Sequence, residues 1–341
     1  MKKNLTRSAT CIAILLILSK LLGFLREILL ADRFGTSYIA DAYAVSTTLP
    51  AVLFTLVSKG FSESYIPIHA RLIPEKQGRL FSNTVTLMTL FSTFVAVVAA
   101  LLAPQITGIL APGYEGVVAQ LTAQYCRIMV FQLPILVCFA LLSARLQAQE
   151  DFIPGSFCDF IIVNVILILS IYLATPEHPM MLAYGYIISM GVALAALWLY
   201  ARCKHGLRVR PVVDPKDSDF RSLCALAIPL GLSLLVDQLN GMVDRMFASG
   251  LGEGVTSALS YANRVQSILL TLTTTIFIQV CYPRMNRHFA AGQREEGSGY
   301  VQKAILIACY TSIPLVVMFV LYASPVVSVI FQRGAFSDDS T

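Results

Sequence analysis

Apolar stretches long enough to cross a bilayer recur along the whole 341-residue chain, and no other feature limits its fold as strongly. A membrane-spanning helix needs about 20 predominantly apolar residues. We read such stretches at roughly 8–31, 40–68, 80–110, 121–147, 153–174, 180–202, 221–249, 256–282 and 299–331. Only 13% of the residues are charged and 56% are hydrophobic, whereas soluble domains carry about a quarter charged residues. Backbone groups cannot stay unpaired in hydrocarbon, and the alternating pattern of a lipid-facing strand is missing. The expected fold is all-α: a polytopic bundle of about nine transmembrane helices.

Lys and Arg in the connections set the orientation. One set of connections holds Lys2, Lys3, Arg7, Arg71, Lys76, Arg79, Arg145, Arg202, Lys204, Arg208, Arg210, Lys216, Arg221, Arg284, Arg287, Arg294 and Lys303, while the alternate set holds Arg33 and Arg333. The bias keeps its sign at every crossing, which places the N-terminus in the cytoplasm. The formal net charge of +5 follows from this topology and is no sign of nucleic-acid binding. "MKKNLTRSATCIAILLILSK" has the basic start of a secretory signal, but no small-residue cleavage site follows, so it reads as an uncleaved first helix. The eight cysteines stand singly, with neither a disulfide framework nor a metal-binding spacing.

The polar stretch "CKHGLRVRPVVDPKDSDF" (203–220) divides the chain. On either side of it, "FGTSYIADAYA" (34–44) resembles "LGEGVTSALSYA" (251–262), and "YIPIHAR" (65–71) resembles "CYPRMNR" (281–287). Pro67 and Pro283 are 216 residues apart, as are Arg71 and Arg287. Six expected helices separate the equivalents, so the two copies run the same way through the membrane, a parallel repeat. The expected organisation is a six-helix lobe over 1–202, a cytoplasmic linker over 203–220, and the first three helices of a second lobe over 221–341. On this reading the second lobe is truncated.

The first helix contains "SKLLGFLREILLADRFGTSYIADAY" (19–43), with three charges in an oily run. At about 100° per residue, Ser19, Lys20, Gly23, Arg26 and Glu27 fall within one arc of about a third of the circle. Three charges facing lipid would cost several kcal/mol, at about 2.5–3.5 kcal/mol each, so this arc should face the bundle interior. Lys20, Arg26 and Arg264 are the candidate cations of a shared cavity suited to an anion, since Arg presents a planar fork to phosphate oxygens and Lys a compact charge. Glu27, Asp41, Lys59, Asp237 and Asp244 are candidate gating or ion-pair residues. Asp237 and Asp244 share a helix face with Asn240 and Gly241 between them. The alternative to a cavity is that these charges only fasten helices together, Glu27 paired with Lys20 and Asp244 with Arg264 or Arg245. Arg127 and Arg245 read instead as span-end residues that snorkel.

No G-x-x-x-x-G-K-[ST] loop is present, so the chain carries no nucleotide motif for an ATP-driven pump. "GLGEG" (250–254) reads as a turn, "DPKDSD" (214–219) as a solvated linker, and the four histidines form no ligand cluster. We expect no cofactor and no metal.

Five stretches together resemble a known family: "SKLLGFLREILLADRFGTSYIADAYAVSTTLP" (19–50), "GFSESYIPIHAR" (60–71), "LAPGY" (110–114), "DRMFASGLGEGVTSALSYANRV" (244–265) and "FQRGAF" (331–336). In this order they are similar to the MurJ/MviN lipid II flippases of bacterial peptidoglycan synthesis. The resemblance implies a two-lobed fold of the multidrug/oligosaccharidyl-lipid/polysaccharide exporter type around a central cavity, with further C-terminal helices in the family. It implies essential basic residues of an S-R-x-x-G-F-x-R motif at Lys20 and Arg26, another of a Y-A-x-R motif at Arg264, and the acid of a D-A-[FY] motif at Asp41. The chain departs from the pattern in having Lys at position 20 and apolar Phe54 where many members have a basic residue, for which Lys59 is the nearest substitute.

The function implied is transport without catalysis: alternating access that carries lipid II across the bacterial cytoplasmic membrane, its diphosphate on Lys20, Arg26 and Arg264, with Asp41 gating the outer side. Membrane potential or ion binding would supply the drive. The partners implied are lipid II, membrane lipids and cell-wall synthesis proteins. The rivals are a polysaccharide-lipid flippase or a drug–cation antiporter of the same superfamily, and a non-transporting remnant.

Overall fold

The computed structural model describes residues 2–267 and 293–341. Helices account for all its regular structure: α1 (Lys2–Phe34), α2 (Tyr38–Ser46), α3 (Thr48–Phe54), α4 (Gly60–His69), α5 (Pro74–Leu101), α6 (Ala103–Leu110), α7 (Gly116–Met129), α8 (Gln132–Ala148), α9 (Ile153–Phe157), α10 (Val163–Leu173), α11 (Met181–His205), α12 (Ser218–Ser249), α13 (255–267), α14 (Arg294–Leu321) and α15 (Ala323–Phe331). No strand is found among the described residues beyond an isolated bridge between Thr175 and His178.

Six continuous helical stretches are long and apolar enough to span a bilayer, and α7 with α8 makes a seventh bent by 40°. Among the described residues the expected count of nine is therefore not reached on this measure. The expected span 256–282 begins as α13 and runs outside the described residues, as does the repeat segment 281–287. Several expected spans are interrupted. α5 gives way to α6 at Leu102, with Pro104 in the next turn, and proline has no N–H to continue a helix ladder. Single π-turns join α3 to α4 (Thr55–Lys59) and α9 to α10 (Cys158–Ile162).

The polar stretch that divides the sequence is shorter as folded. α11 runs to His205 and stops where Gly206 takes a left-handed conformation (φ +59°), as helix ends commonly do. α12 starts at Ser218, where the Asp217 carboxylate accepts from the N–H groups of Asp219 and Phe220, satisfying orphan donors of the first turn. The connection is pinned to α5: buried Asn83 exchanges two hydrogen bonds with the Asp214 backbone, and Arg79 reaches Asp214 at 3.0 Å and Asp217 at 3.5 Å.

Two apolar cores hold the bundle. One runs through α4, α5, α8 and α11, with Tyr65, Phe81, Leu133 and Leu142 fully buried. The other joins α1, α2, α7 and α13 to the C-terminal segment through Phe34, Tyr43, Tyr125, Tyr261 and Phe331. At the end of the molecule that carries Gly35, four turns converge. Gly35 lies against Ala335, Gly254 against Thr36, Gly334 against Asp32, and Gly113 against Ser249 and Gly250, each too close for an added Cβ.

Candidate functional site

Between α1, α2, α12 and α13 lies a cavity of about 330 Å³. Three guanidinium groups border it, those of Arg26, Arg245 and Arg264, against the single carboxylate of Glu27. Hydroxyls of Tyr43, Tyr186, Ser260 and Tyr261 and the amide of Asn263 complete a polar lining.

Helical periodicity positions the first wall. Arg26 and Glu27 are consecutive on α1 and bond to each other at 2.8 Å, with side chains 22% and 16% exposed. Arg264 approaches from α13, its Nε 3.9 Å from Glu27 Oε1. Gly23, one turn before Arg26, makes room for it: a Cβ there would come within 2.6 Å of Arg264 Nη2. One carboxylate is thus shared by two arginines from helices more than 200 residues apart. Arg245 enters from α12 and donates to Thr48 Oγ1 at 2.9 Å.

Above this wall, toward Gly35, α2 and α13 meet end to end. The buried Asp41 carboxylate accepts from the backbone N–H of Gly254 at 2.6 Å and of Ser257 at 2.7 Å. Glu253 accepts in turn from the backbone N–H of Tyr38 at 3.0 Å. Each helix N-terminus therefore has its free donors and its positive dipole end met by a carboxylate of the other segment. Tyr261 donates to the Gly35 carbonyl at 2.9 Å. Ser257 and Tyr261, which make two of these contacts, also line the cavity.

The remaining candidates lie elsewhere. Lys20 is exposed and outside the lining. It shares the arc of Arg26, but six residues separate them, about 9 Å along the axis. Lys59 is half-buried in the π-turn, away from the cavity. Asp237 and Asp244 are exposed and make no ion pair among the described residues. The pairings of the helix-fastening alternative are not made among the described residues: Glu27 takes Arg26 and Arg264, not Lys20, and Arg245 takes Thr48, not Asp244. Asp41 binds backbone amides, with no cation as its partner among the described residues.

Sequence reasoning missed Arg245. Adjacent residues on a helix point about 100° apart, so the outward position of Asp244 accompanies the inward position of Arg245, and nothing in the local pattern marks which of the two faces inward.

The model of the lipid II flippase MurJ family matches residues 30–341. The chain belongs to this family. It is 28% identical over 342 residues to the probable lipid II flippase MurJ of Rhizobium meliloti (strain 1021), covering 95% of this chain and 62% of that protein. It is 26% identical over 345 residues to the probable lipid II flippase MurJ of Rickettsia prowazekii (strain Madrid E), covering 99% of this chain and 68% of that protein. The chain thus spans less than two thirds of the length of the Rhizobium relative. Among solved structures, a lipid II flippase MurJ in an inward closed conformation superposes with a TM-score of 0.79 at 18% identity, over 96% of this chain and 69% of that one. An inward-facing multidrug resistance MATE transporter superposes at 0.70 with 15% identity, over 93% and 73%. At these identities the likeness is one of fold. The MurJ family is a transporter family of the membrane, in keeping with the several apolar spans.

Proposed function

We propose that this chain moves lipid II, the undecaprenyl-diphosphate-linked peptidoglycan precursor, across the bacterial cytoplasmic membrane by alternating access. The observation that carries the reading is the charge of the membrane-embedded cavity, three arginines against one glutamate. A diphosphate fits that excess, because guanidinium forks bind phosphate oxygens in pairs. Family membership supplies the substrate class.

In this reading Arg26 and Arg264 hold the diphosphate with Arg245 beside them, and Lys20 meets the headgroup on its way in. Glu27 keeps the two arginines together while the site is empty. Asp41 keeps the Gly35 side shut. The Lys and Arg bias of the connections supports a reading with the Gly35 end outside and the N-terminus in the cytoplasm, and the reading takes a first lobe over 1–202, a linker over 203–220 and part of a second lobe over 221–341. A drug–cation antiporter, the rival that the fold of the multidrug resistance MATE transporter brings to mind, calls for a cavity richer in carboxylates than in cations.

The test is rescue of cells depleted of their own lipid II flippase. Expression of this chain restores growth, and Arg26→Ala and Arg264→Ala abolish rescue at unchanged protein level. Normal growth of both variants defeats the cationic-site assignment. Failure of the unaltered chain to rescue supports the non-transporting reading.

A further inference from the structure

A second recess, mostly apolar with three polar side chains along one wall, lies away from the cavity. It is a groove of about 430 Å³ between α6 and α7. α7 turns Leu121, Thr122, Tyr125, Cys126 and Met129 inward, all buried. Its other face exposes Gln120, Gln124 and Arg127, which line the groove at helical spacing. The facing wall of α6 is smooth, with Pro104, Thr107 and Gly108.

The position of Arg127 is what requires an explanation. α7 and α8 are long and apolar enough for a span only together, as a pair bent by 40° that begins at Gly116. Arg127 stands eleven residues in, about 16 Å along the axis. Where α7 and α8 cross as one span, that distance carries its Cα below the headgroup layer. There a bare cation is costly. Among the described residues Arg127 has neither an ion-pair nor a hydrogen-bond partner. A helical side chain leans toward the N-terminus of its helix, which carries this guanidinium along Gln124 and Gln120 toward the headgroup layer at the Gly35 end. Three polar groups in a row, walled by small residues and open sideways to lipid, form a slot that only a molecule already in the membrane can approach from the side.

We propose that this groove binds the phosphate of an anionic phospholipid in the leaflet at the Gly35 end, with Arg127 as the charged ligand and Gln120 and Gln124 as hydrogen-bond donors. The bound phosphate satisfies Arg127 where its guanidinium reaches the headgroup layer. The two amides bring in the headgroup, and the smooth α6 wall admits its glycerol and upper acyl chains. In the orientation proposed above this is the extracytoplasmic leaflet, but the binding itself rests on neither that orientation nor transport.

The test is native mass spectrometry of the detergent-purified chain titrated with phosphatidylglycerol, with phosphatidylcholine and with sn-glycerol 3-phosphate. The unaltered protein retains phosphatidylglycerol at least fivefold more tightly than phosphatidylcholine and does not retain sn-glycerol 3-phosphate. Arg127→Gln loses that preference, Arg127→Lys keeps most of it, and Gln120→Leu with Gln124→Leu, which leaves the charge in place, weakens binding two- to threefold. Arg33→Gln, at the same end of the molecule, binds as the unaltered protein does. Equal phosphatidylglycerol affinity in the unaltered protein and Arg127→Gln overturns the proposal, and binding of sn-glycerol 3-phosphate as tight as that of the lipid overturns its lipid assignment. Should Arg127→Gln fail to fold, the double glutamine variant decides: unchanged affinity there overturns the groove as the site. No transport is measured, so failure here leaves the flippase reading standing, and failed rescue leaves this one standing.

Discussion

Asp41 and Ser257 meet across 216 residues of sequence, the carboxylate of the first accepting from the backbone N–H of the second at 2.7 Å. In the sequence the same interval separates Pro67 from Pro283 and Arg71 from Arg287. A buried N–H left without its partner costs about 1–3 kcal/mol. Asp41→Ala removes the acceptor for two of them, at Gly254 and Ser257. With the native cysteines replaced, a Ser260→Cys probe in the cavity wall should become about tenfold more reactive toward an impermeant thiol reagent added outside, tenfold corresponding to about 1.4 kcal/mol. Asp41→Asn keeps an acceptor for one of the two donors and should give a smaller rise.

Glu27 neutralises part of the guanidinium charge in the cavity, 2.8 Å from Arg26 and 3.9 Å from Arg264. Glu27→Gln should bind a diphosphate lipid about tenfold more tightly at low salt. The gain should shrink as ionic strength passes about 0.15 M, where screening shortens to about 8 Å. Isothermal titration at two salt concentrations measures both effects.

Lys20 and Arg26 share an arc but differ in depth, with Lys20 exposed and Arg26 on the cavity. Lys20→Ala should therefore retain at least tenfold more rescue activity than Arg26→Ala, scored as viable titre on depletion of the host flippase.

Asp151, in the turn between α8 and α9, accepts from Tyr200 at 2.9 Å, His205 at 2.9 Å and Lys204 at 3.1 Å. Burial pushes its carboxyl up, but the hydrogen bonds from His205, Tyr200 and Lys204 outweigh it and hold the group below the ordinary carboxylate range. A carboxyl depressed in the folded state contributes stability that is complete above its unfolded pKa of about 3.9 and is lost as pH falls through the lower folded value. Asp151→Asn should lower Tm by roughly 2–4 °C at pH 7, and the difference from the unaltered protein should narrow below about pH 4. Thermal melts across pH 3–7 check the sign.

Gly60 and Gly231 bring α4 and α12 together, but unequally. A Cβ on Gly60 would lie 2.1 Å from the Ala227 carbonyl oxygen, whereas one on Gly231 would meet nothing nearer than 3.6 Å. Gly60→Ala should lower Tm by several degrees or force the helices apart, and Gly231→Ala should leave Tm within a degree. Parallel thermal melts separate the two.

Much of the fold was legible because the bilayer forces helices and hydropathy marks where they run. Interruptions were less so: the break at Leu102 follows from Pro104 and the bend lies just before Pro134, but hydropathy alone runs straight through both. At the site, periodicity gave the angular position of Arg26 and Glu27 on α1 but not the depth at which the cavity lies, so Lys20 was grouped with them. Asp41 was visible as a carboxylate near a turn. Its donors are backbone amides more than 200 residues away, and amides leave no trace in side-chain identity. Arg245 was hidden by its acidic neighbour, since a sequence gives no reference direction for the face of a single helix.

The contact between Gly60 and Ala227 is one of main chain against main chain, and its consequence is mechanical. Side chains that interlock must change rotamer before two helices can move past one another, whereas smooth backbones can tilt with little to unfasten. Where Gly60 meets Ala227 no side chain stands between α4 and α12, so backbone radii alone set their spacing there, immediately after a π-turn and beside the stacked rings of Phe61 and Phe220.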